Sequence, residues 1–105
     1  LNTAFNVGYL NGNAVYRDSV DLSDSNDYYR FNLDSRSTFS LSLAGLSGDA
    51  DVQLLNANGI LLRTSSNPGI TTEAIAQELN AGTYFVRVYP YRGATTYSLS
   101  LTATT

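Results

Sequence analysis

The chain reads as an all-β domain: an antiparallel β-sandwich of jelly-roll type with about eight to nine strands. Three observations point there. Apolar residues recur at every second position in several short runs. Asn-, Gly- and Pro-bearing turn signals separate those runs at short intervals. With 43% hydrophobic and 14% charged residues, the composition is that of a packed domain rather than a disordered segment.

The runs can be taken in chain order. In Tyr28-Tyr29-Arg30-Phe31-Asn32-Leu33, the residues Tyr29, Phe31 and Leu33 share one face. Phe39, Leu41 and Leu43 alternate with Thr38, Ser40 and Ser42. Leu54-Leu55 and Ile60-Leu61-Leu62 flank Asn58-Gly59, a hairpin signal because Asn and Gly accept the positive φ that such turns need. Tyr84, Val86 and Val88 alternate with Thr83, Phe85 and Arg87. Tyr97, Leu99 and Leu101 alternate with Ser98 and Ser100. Each pattern is that of a half-buried antiparallel strand.

Thr72 to Leu79 is the ambiguous stretch. Its composition suits a helix, but it is only about two turns long, and isolated helices of that length are marginal. Between strands it is expected to pair as one, with Ala74, Ala76 and Glu78 on one side and Ile75, Gln77 and Leu79 on the other. Further turn signals stand at Asn11-Gly12-Asn13, Gly45 to Gly48, Asn67-Pro68-Gly69, Asn80-Ala81-Gly82 and Arg92-Gly93.

At 105 residues the whole chain, 1–105, is expected to form a single domain. No signal peptide is evident, so the sequence reads as an excised module or mature fragment. No apolar run approaches the roughly 18 residues that span a bilayer.

The ionisable inventory narrows the function. Six cations are all Arg, and nine anions are mostly Asp, for a net charge of −3. That balance offers no footprint for nucleic acid or an anionic membrane, but an Asp-rich surface suits hard cations such as Ca²⁺. Cys, His, Met, Trp and Lys are absent. Disulfides, thiolate nucleophiles, imidazole ligands and Ser-His-Asp or Ser-Lys catalysis are therefore unavailable. Paired carboxylates could serve glycoside hydrolysis, but no feature selects one pair. The chain is expected not to be an enzyme.

Several segments, in order, carry a resemblance. They are Asp24 to Leu33, Phe39 to Leu43, Gly48 to Leu55, Ala81 to Val88 and Thr96 to Leu101. Together they resemble the bacterial pre-peptidase C-terminal domain family, to which the collagen-binding domains of clostridial collagenases are related. The resemblance implies a jelly-roll-like β-sandwich attached to a larger secreted protein, often a peptidase. The expected setting is bacterial, secreted or at the cell surface. The expected partner is the parent's catalytic domain, with an extracellular protein or polysaccharide as a further candidate. Nucleic acid and membrane are not expected partners, and a monomer is expected.

The resemblance also implies a structural Ca²⁺ site in some members, built on Asp-x-x-Asp-Tyr. Here that pattern falls on Asp24, Asp27 and Tyr28, with Asn2 as a local candidate for a further ligand. Two carboxylates and one carbonyl are half of the six to eight oxygens that Ca²⁺ takes. Asp and Ser before a strand also make ordinary Asx turns, and both readings stand. Asp49 and Asp51 in Gly48-Asp-Ala-Asp resemble a fragment of a calcium loop, but without further oxygen ligands that signal is weak, and a loop-to-strand turn in which Asp51 accepts backbone hydrogen bonds is the favoured reading.

Eight Tyr and four Phe form the last group. Tyr29, Phe31, Phe39, Tyr84 and Tyr97 fall on inward positions and are expected in the core. Tyr28, Phe85, Tyr89 and Tyr91 fall on the opposite phase or in a loop, with Arg30, Arg87 and Arg92 alongside. These seven residues are the candidate ligand-binding face, since Tyr and Arg anchor interfaces. Cross-strand pairing on a solvated sheet is the competing account. A spacer, or a secretion and folding-assistance tail with no ligand, is the alternative function.

Overall fold

The computed structural model describes residues 4–20, 26–45, 50–65, 72–90 and 95–105; of Val20 and Pro90 only the backbone is described. Among them nine strands run in chain order: β1 (Phe5–Tyr9), β2 (Gly12–Val20), β3 (Asp27–Leu33), β4 (Ser37–Ala44), β5 (Ala50–Asn56), β6 (Leu61–Ser65), β7 (Glu73–Leu79), β8 (Gly82–Pro90) and β9 (Thr95–Thr104). No helix occurs among the described residues, so none is long and apolar enough to cross a membrane.

Two sheets face each other. One has the order β1-β3-β8-β5-β6 and the other β2-β9-β4-β7. All pairings are antiparallel except β1 with β3, which is parallel. The even spacing of the strands did not signal that exception. A parallel neighbour needs a crossover connection, and here β2 supplies it by crossing to the opposite sheet before the chain returns in β3.

The core lies where period-two alternation puts it. Phe31, Leu33, Phe39, Leu41, Leu43, Val52, Leu54, Val86, Val88, Leu99 and Leu101 are all buried between the sheets. Phe31 stacks against Phe39 of the facing sheet and, on its own sheet, near Tyr84 with centroids 5.6 Å apart. Tyr84 is only half-buried and sends its hydroxyl to the Asn80 carbonyl, 2.8 Å away.

The ambiguous stretch is a strand. β7 pairs with β4 from Ser37↔Leu79 to Leu43↔Glu73. Ala74, Ala76 and Glu78 face solvent, while Ile75 and Leu79 are buried and Gln77 is intermediate. Pairing with β4 supplies the backbone partners and the apolar burial that a two-turn helix here would lack.

The β5–β6 hairpin also follows its signal. The turn runs through Asn56-Ala57-Asn58-Gly59, with Gly59 at φ 79°. Asn56 Oδ1 accepts the N–H groups of both Asn58 (2.9 Å) and Ile60 (3.0 Å). The signals at Asn67-Pro68-Gly69 and Arg92-Gly93 lie outside the described residues.

Candidate functional site

Two regions bear on function: the outer face of the β1-β3-β8-β5-β6 sheet, and the end of the sandwich where β2 and β3 approach each other.

On the outer face, strand register decides which side chains meet. Tyr28 on β3 lies opposite Arg87 on β8, and Arg30 lies opposite Phe85. On the other side of β8, Arg87 lies opposite Gln53, Phe85 opposite Leu55, and Tyr89 opposite Asp51. Directly opposed residues in a ladder share a face, so Tyr28, Arg30, Phe85, Arg87 and Tyr89 do come together.

Arg87 organises this face. Its Nε donates to Asn26 Oδ1 at 2.6 Å and its Nη1 to Gln53 Oε1 at 3.1 Å. Its guanidinium carbon stands 4.3 Å from the centre of the Tyr89 ring, within the range of a cation–π contact. Burial pushes the Tyr89 phenol above its ordinary value, and the nearby Asp51 carboxylate adds to the rise. Further along, Thr83 Oγ1 donates to Asn32 Oδ1 at 2.6 Å.

Phe85 corrects the expectation of an exposed aromatic. It is on the outer face, yet only 7% exposed. Strand β8 is central, and Phe85 stands between Arg30 and Leu55 across the ladder. Leu55 is equally buried, and neither residue belongs to the inter-sheet core. The alternation predicts the side of the sheet but not the cover that flanking side chains give a residue on a central strand. Phe85 therefore supports the face from below. Beside this pair, Ile60 and Leu61 are 58% and 50% exposed at the β6 edge. Tyr91 and Arg92 lie outside the described residues.

At the β2–β3 end, a cleft of about 490 Å³ is lined by Phe5, Tyr16, Arg17, Asp18, Asn26, Asp27, Tyr28 and Tyr29. The Phe5, Tyr16 and Tyr29 rings pack against one another with centroids 5.2 to 6.0 Å apart. Tyr29 and, on β9, Tyr97 are 4% and 3% exposed, with hydroxyls 2.5 Å apart. Tyr97 Oη donates to Asp27 Oδ2, also at 2.5 Å. A carboxylate can only accept, so the Tyr97 proton is committed to it and Tyr29 donates to Tyr97. Burial pushes the Tyr29 phenol up to about 12. The Tyr97 phenol is raised further, first by burial and then by its bonds to Asp27 and Tyr29.

Of the proposed metal ligands, Asp27 and Tyr28 are at this cleft, whereas Asn2 and Asp24 lie outside the described residues. The ladder of β1 with β3 begins at Phe5↔Tyr29, one residue past Tyr28. Asp18 lines the same cleft, and its Oδ1 accepts the N–H of Ser19 at 2.8 Å. The donors present are hard oxygens, the kind that Ca²⁺ takes. They are fewer than a full shell, and no group of three or more His, Cys, Asp or Glu side chains gathers among the described residues. Asp51 is 5% exposed on the outer face, and Asp49 lies outside the described residues.

The sequence pattern missed one buried acid. Glu73 is 0% exposed, on the inward side of β7. Its Oε1 accepts the Ser65 hydroxyl at 2.6 Å, and the same Ser65 Oγ accepts the Ala74 N–H at 3.2 Å. The signal was available in the alternation, since Glu73 is in phase with Ile75.

These features define an all-β sandwich domain, built from two sheets with a polar aromatic face on one of them. Residues 25–90 match the bacterial pre-peptidase C-terminal domain family, and the chain belongs to it. Such domains typically accompany secreted bacterial peptidases as non-catalytic C-terminal accessories. The fold is similar to that of the pre-peptidase C-terminal domain of a Bacillus anthracis collagenase, with a TM-score of 0.76, 24% identity and 93% of each chain covered. It is also similar to a periplasmic inhibitor of g-type lysozyme from Aeromonas hydrophila, with a TM-score of 0.62, 13% identity, and 96% and 97% of the two chains covered. A 65-residue stretch is 37% identical to bovine endoplasmic reticulum aminopeptidase 2, spanning 62% of this chain and 7% of that protein.

Proposed function

We propose that this domain is a non-catalytic accessory module of a larger secreted bacterial protein and that its outer face binds an extracellular protein or polysaccharide. The observation that carries the reading is the fixed guanidinium of Arg87. It is held by Asn26 and Gln53 and set against the Tyr89 ring. A cation and an aromatic ring held in place lose little side-chain freedom on binding, and Tyr and Arg are the types that dominate interface energetics. Tyr28 and Arg30 extend the face across β3, and Tyr91 and Arg92 follow β8 in the sequence.

The test is retention of the isolated chain on insoluble collagen, chitin, cellulose and cell-wall material. Retention that is lost on Tyr89→Ala or Arg87→Ala supports a binding face. Failure to be retained on any matrix supports the spacer role instead.

We also propose that the β2–β3 end takes Ca²⁺ as a structural cofactor. Asp27 and the Tyr28 carbonyl would be the donors there, and Asn2 and Asp24, the further ligands expected from the sequence, lie outside the described residues. Bound Ca²⁺ would cross-link the chain through its own charge and perform no chemistry. A ligand that binds only the folded state stabilises it by about 2.7 kcal/mol at a hundredfold excess over its dissociation constant. The melting temperature should therefore rise with Ca²⁺ and fall with chelator, and coincident melts would remove this reading.

A further inference from the structure

We infer that the β2–β3 cleft is a second binding site, one that takes a neutral glycan: a gluco-configured pyranose ring stacked on Phe5 and hydrogen-bonded by Asp18. The inference goes beyond the outer-face reading and needs no Ca²⁺.

The cleft exists because two sheet edges meet there without closing. Strand β1 ends one sheet and β2 ends the other. On β2, Tyr16 and Asp18 oppose Leu99 and Tyr97 of β9, both buried between the sheets. Tyr16 and Asp18 therefore face the same gap, at its open margin. Phe5, at the start of β1, packs against Tyr16 at 5.2 Å and Tyr29 at 6.0 Å between ring centroids, both in edge-to-face fashion. It is nonetheless 54% exposed. An aromatic ring held from behind and open in front loses little freedom when a ligand arrives. Tyr29 anchors the group, being almost wholly buried with its hydroxyl bonded to that of Tyr97.

The lining selects its ligand by charge. Asp18 and Asp27 repel an anion, and Arg17 at the border repels a cation. Asp27 accepts the Tyr97 proton and Asn26 accepts from Arg87, so neither is counted as a contact. Asp18 is exposed, and the Ser19 N–H on its Oδ1 at 2.8 Å sets the carboxylate in place. A neutral molecule dense in hydroxyls meets these terms. Its O–H groups donate to the Asp18 carboxylate, and the Arg17 guanidinium donates to its oxygens. A pyranose with equatorial hydroxyls also presents a flat face of axial C–H groups, made slightly positive by the oxygens beside them. That face suits the negative face of an aromatic ring. The cleft volume of about 490 Å³ falls among those of small-ligand sites, which pair aromatic walls with a few placed polar groups.

The test titrates the isotope-labelled chain with cellohexaose and with N-acetylchitohexaose, in chelator, and follows backbone amide shifts and affinity. Shifts at Phe5, Tyr16 and Asp18 are expected with at least one of the two sugars. Phe5→Ala should weaken that binding by about tenfold or more, whereas Phe5→Tyr, which keeps a ring, should retain most of it. Asp18→Ala should weaken it by about two- to tenfold. Tyr9→Ala, on the same strand and 73% exposed but outside the cleft lining, should leave it unchanged. A chain that shifts with neither sugar overturns the inference. So do shifts confined to Gln53, Arg87 and Tyr89, which would speak for the outer face instead, and so does wild-type affinity in Phe5→Ala. If Phe5→Ala does not fold, Asp18→Ala carries the test, and unchanged affinity there overturns the inference as well.

Discussion

Phe31 of β3 and Phe39 of β4 stack across the two sheets, with ring centroids 4.8 Å apart and planes 10° from parallel. Both are fully buried, so this one contact joins the centres of the facing layers. Truncating either ring removes apolar area and leaves a cavity that close-packed neighbours cannot fill. Phe31→Ala or Phe39→Ala is expected to cost about 3–5 kcal/mol, read as a lower denaturation midpoint in urea. The two losses should not add in the double variant, because the residues are in direct contact.

The buried phenols give the domain a definite alkaline limit. Below pH 10, the ordinary value for tyrosine, Tyr29 and Tyr97 are protonated in both folded and unfolded chains. Their contribution to stability is then constant. Above pH 10 the unfolded chain ionises them first, so unfolding releases protons and stability falls as pH rises. For Tyr29 the fall runs from pH 10 to about 12, and a displacement of that size corresponds to roughly 2–3 kcal/mol. Denaturation midpoints measured from pH 8 to 12 should show the decline, and Tyr29→Phe should flatten part of it. A spectrophotometric titration in which every phenol ionises at the ordinary value, with the chain still folded, would contradict this.

The β5–β6 turn depends on one amide. Asn56 Oδ1 accepts two backbone N–H groups, from Asn58 and Ile60. Asn56→Ala removes both bonds and is expected to cost about 1–2 kcal/mol. Gly59→Ala acts at a positive φ, 79°, and should cost about 1 kcal/mol. Thermal melts of the two variants check the sizes. Hydrogen exchange should show the added opening confined to Leu54 through Leu62.

Most of the sandwich was legible because alternation is a local code. Tyr29, Phe31 and Leu33, like Phe39, Leu41 and Leu43, carry their facing in their spacing, and the structure buries all six. The strand at Thr72 to Leu79 was legible from its context, and its helix-favouring residues lost to pairing with β4. What escaped the pattern depends on neighbours distant in sequence. The parallel pairing of β1 with β3 is a property of topology, not of either segment. The cover over Phe85 comes from its place on a central strand. The Ser65 hydroxyl that partners the buried Glu73 comes from a different strand, on the other sheet. The bond from Tyr97 to Asp27 joins positions that no short window contains. Of the candidate binding face, Tyr28, Arg30, Arg87 and Tyr89 were assembled as alternation implied, whereas the hold of Asn26 and Gln53 on Arg87 was not foreseeable from spacing.

The Ser65 hydroxyl has a consequence for self-association. Strand β7 is the last of its sheet, and a rim of that kind invites another chain to extend it. Here Ser65 occupies the Ala74 amide, and Arg63 reaches across to Gln77 Oε1 at 2.9 Å. An incoming strand would first have to evict both side chains, so this flank is stoppered against fibre-like growth without any bulge, proline or lysine to repel a newcomer.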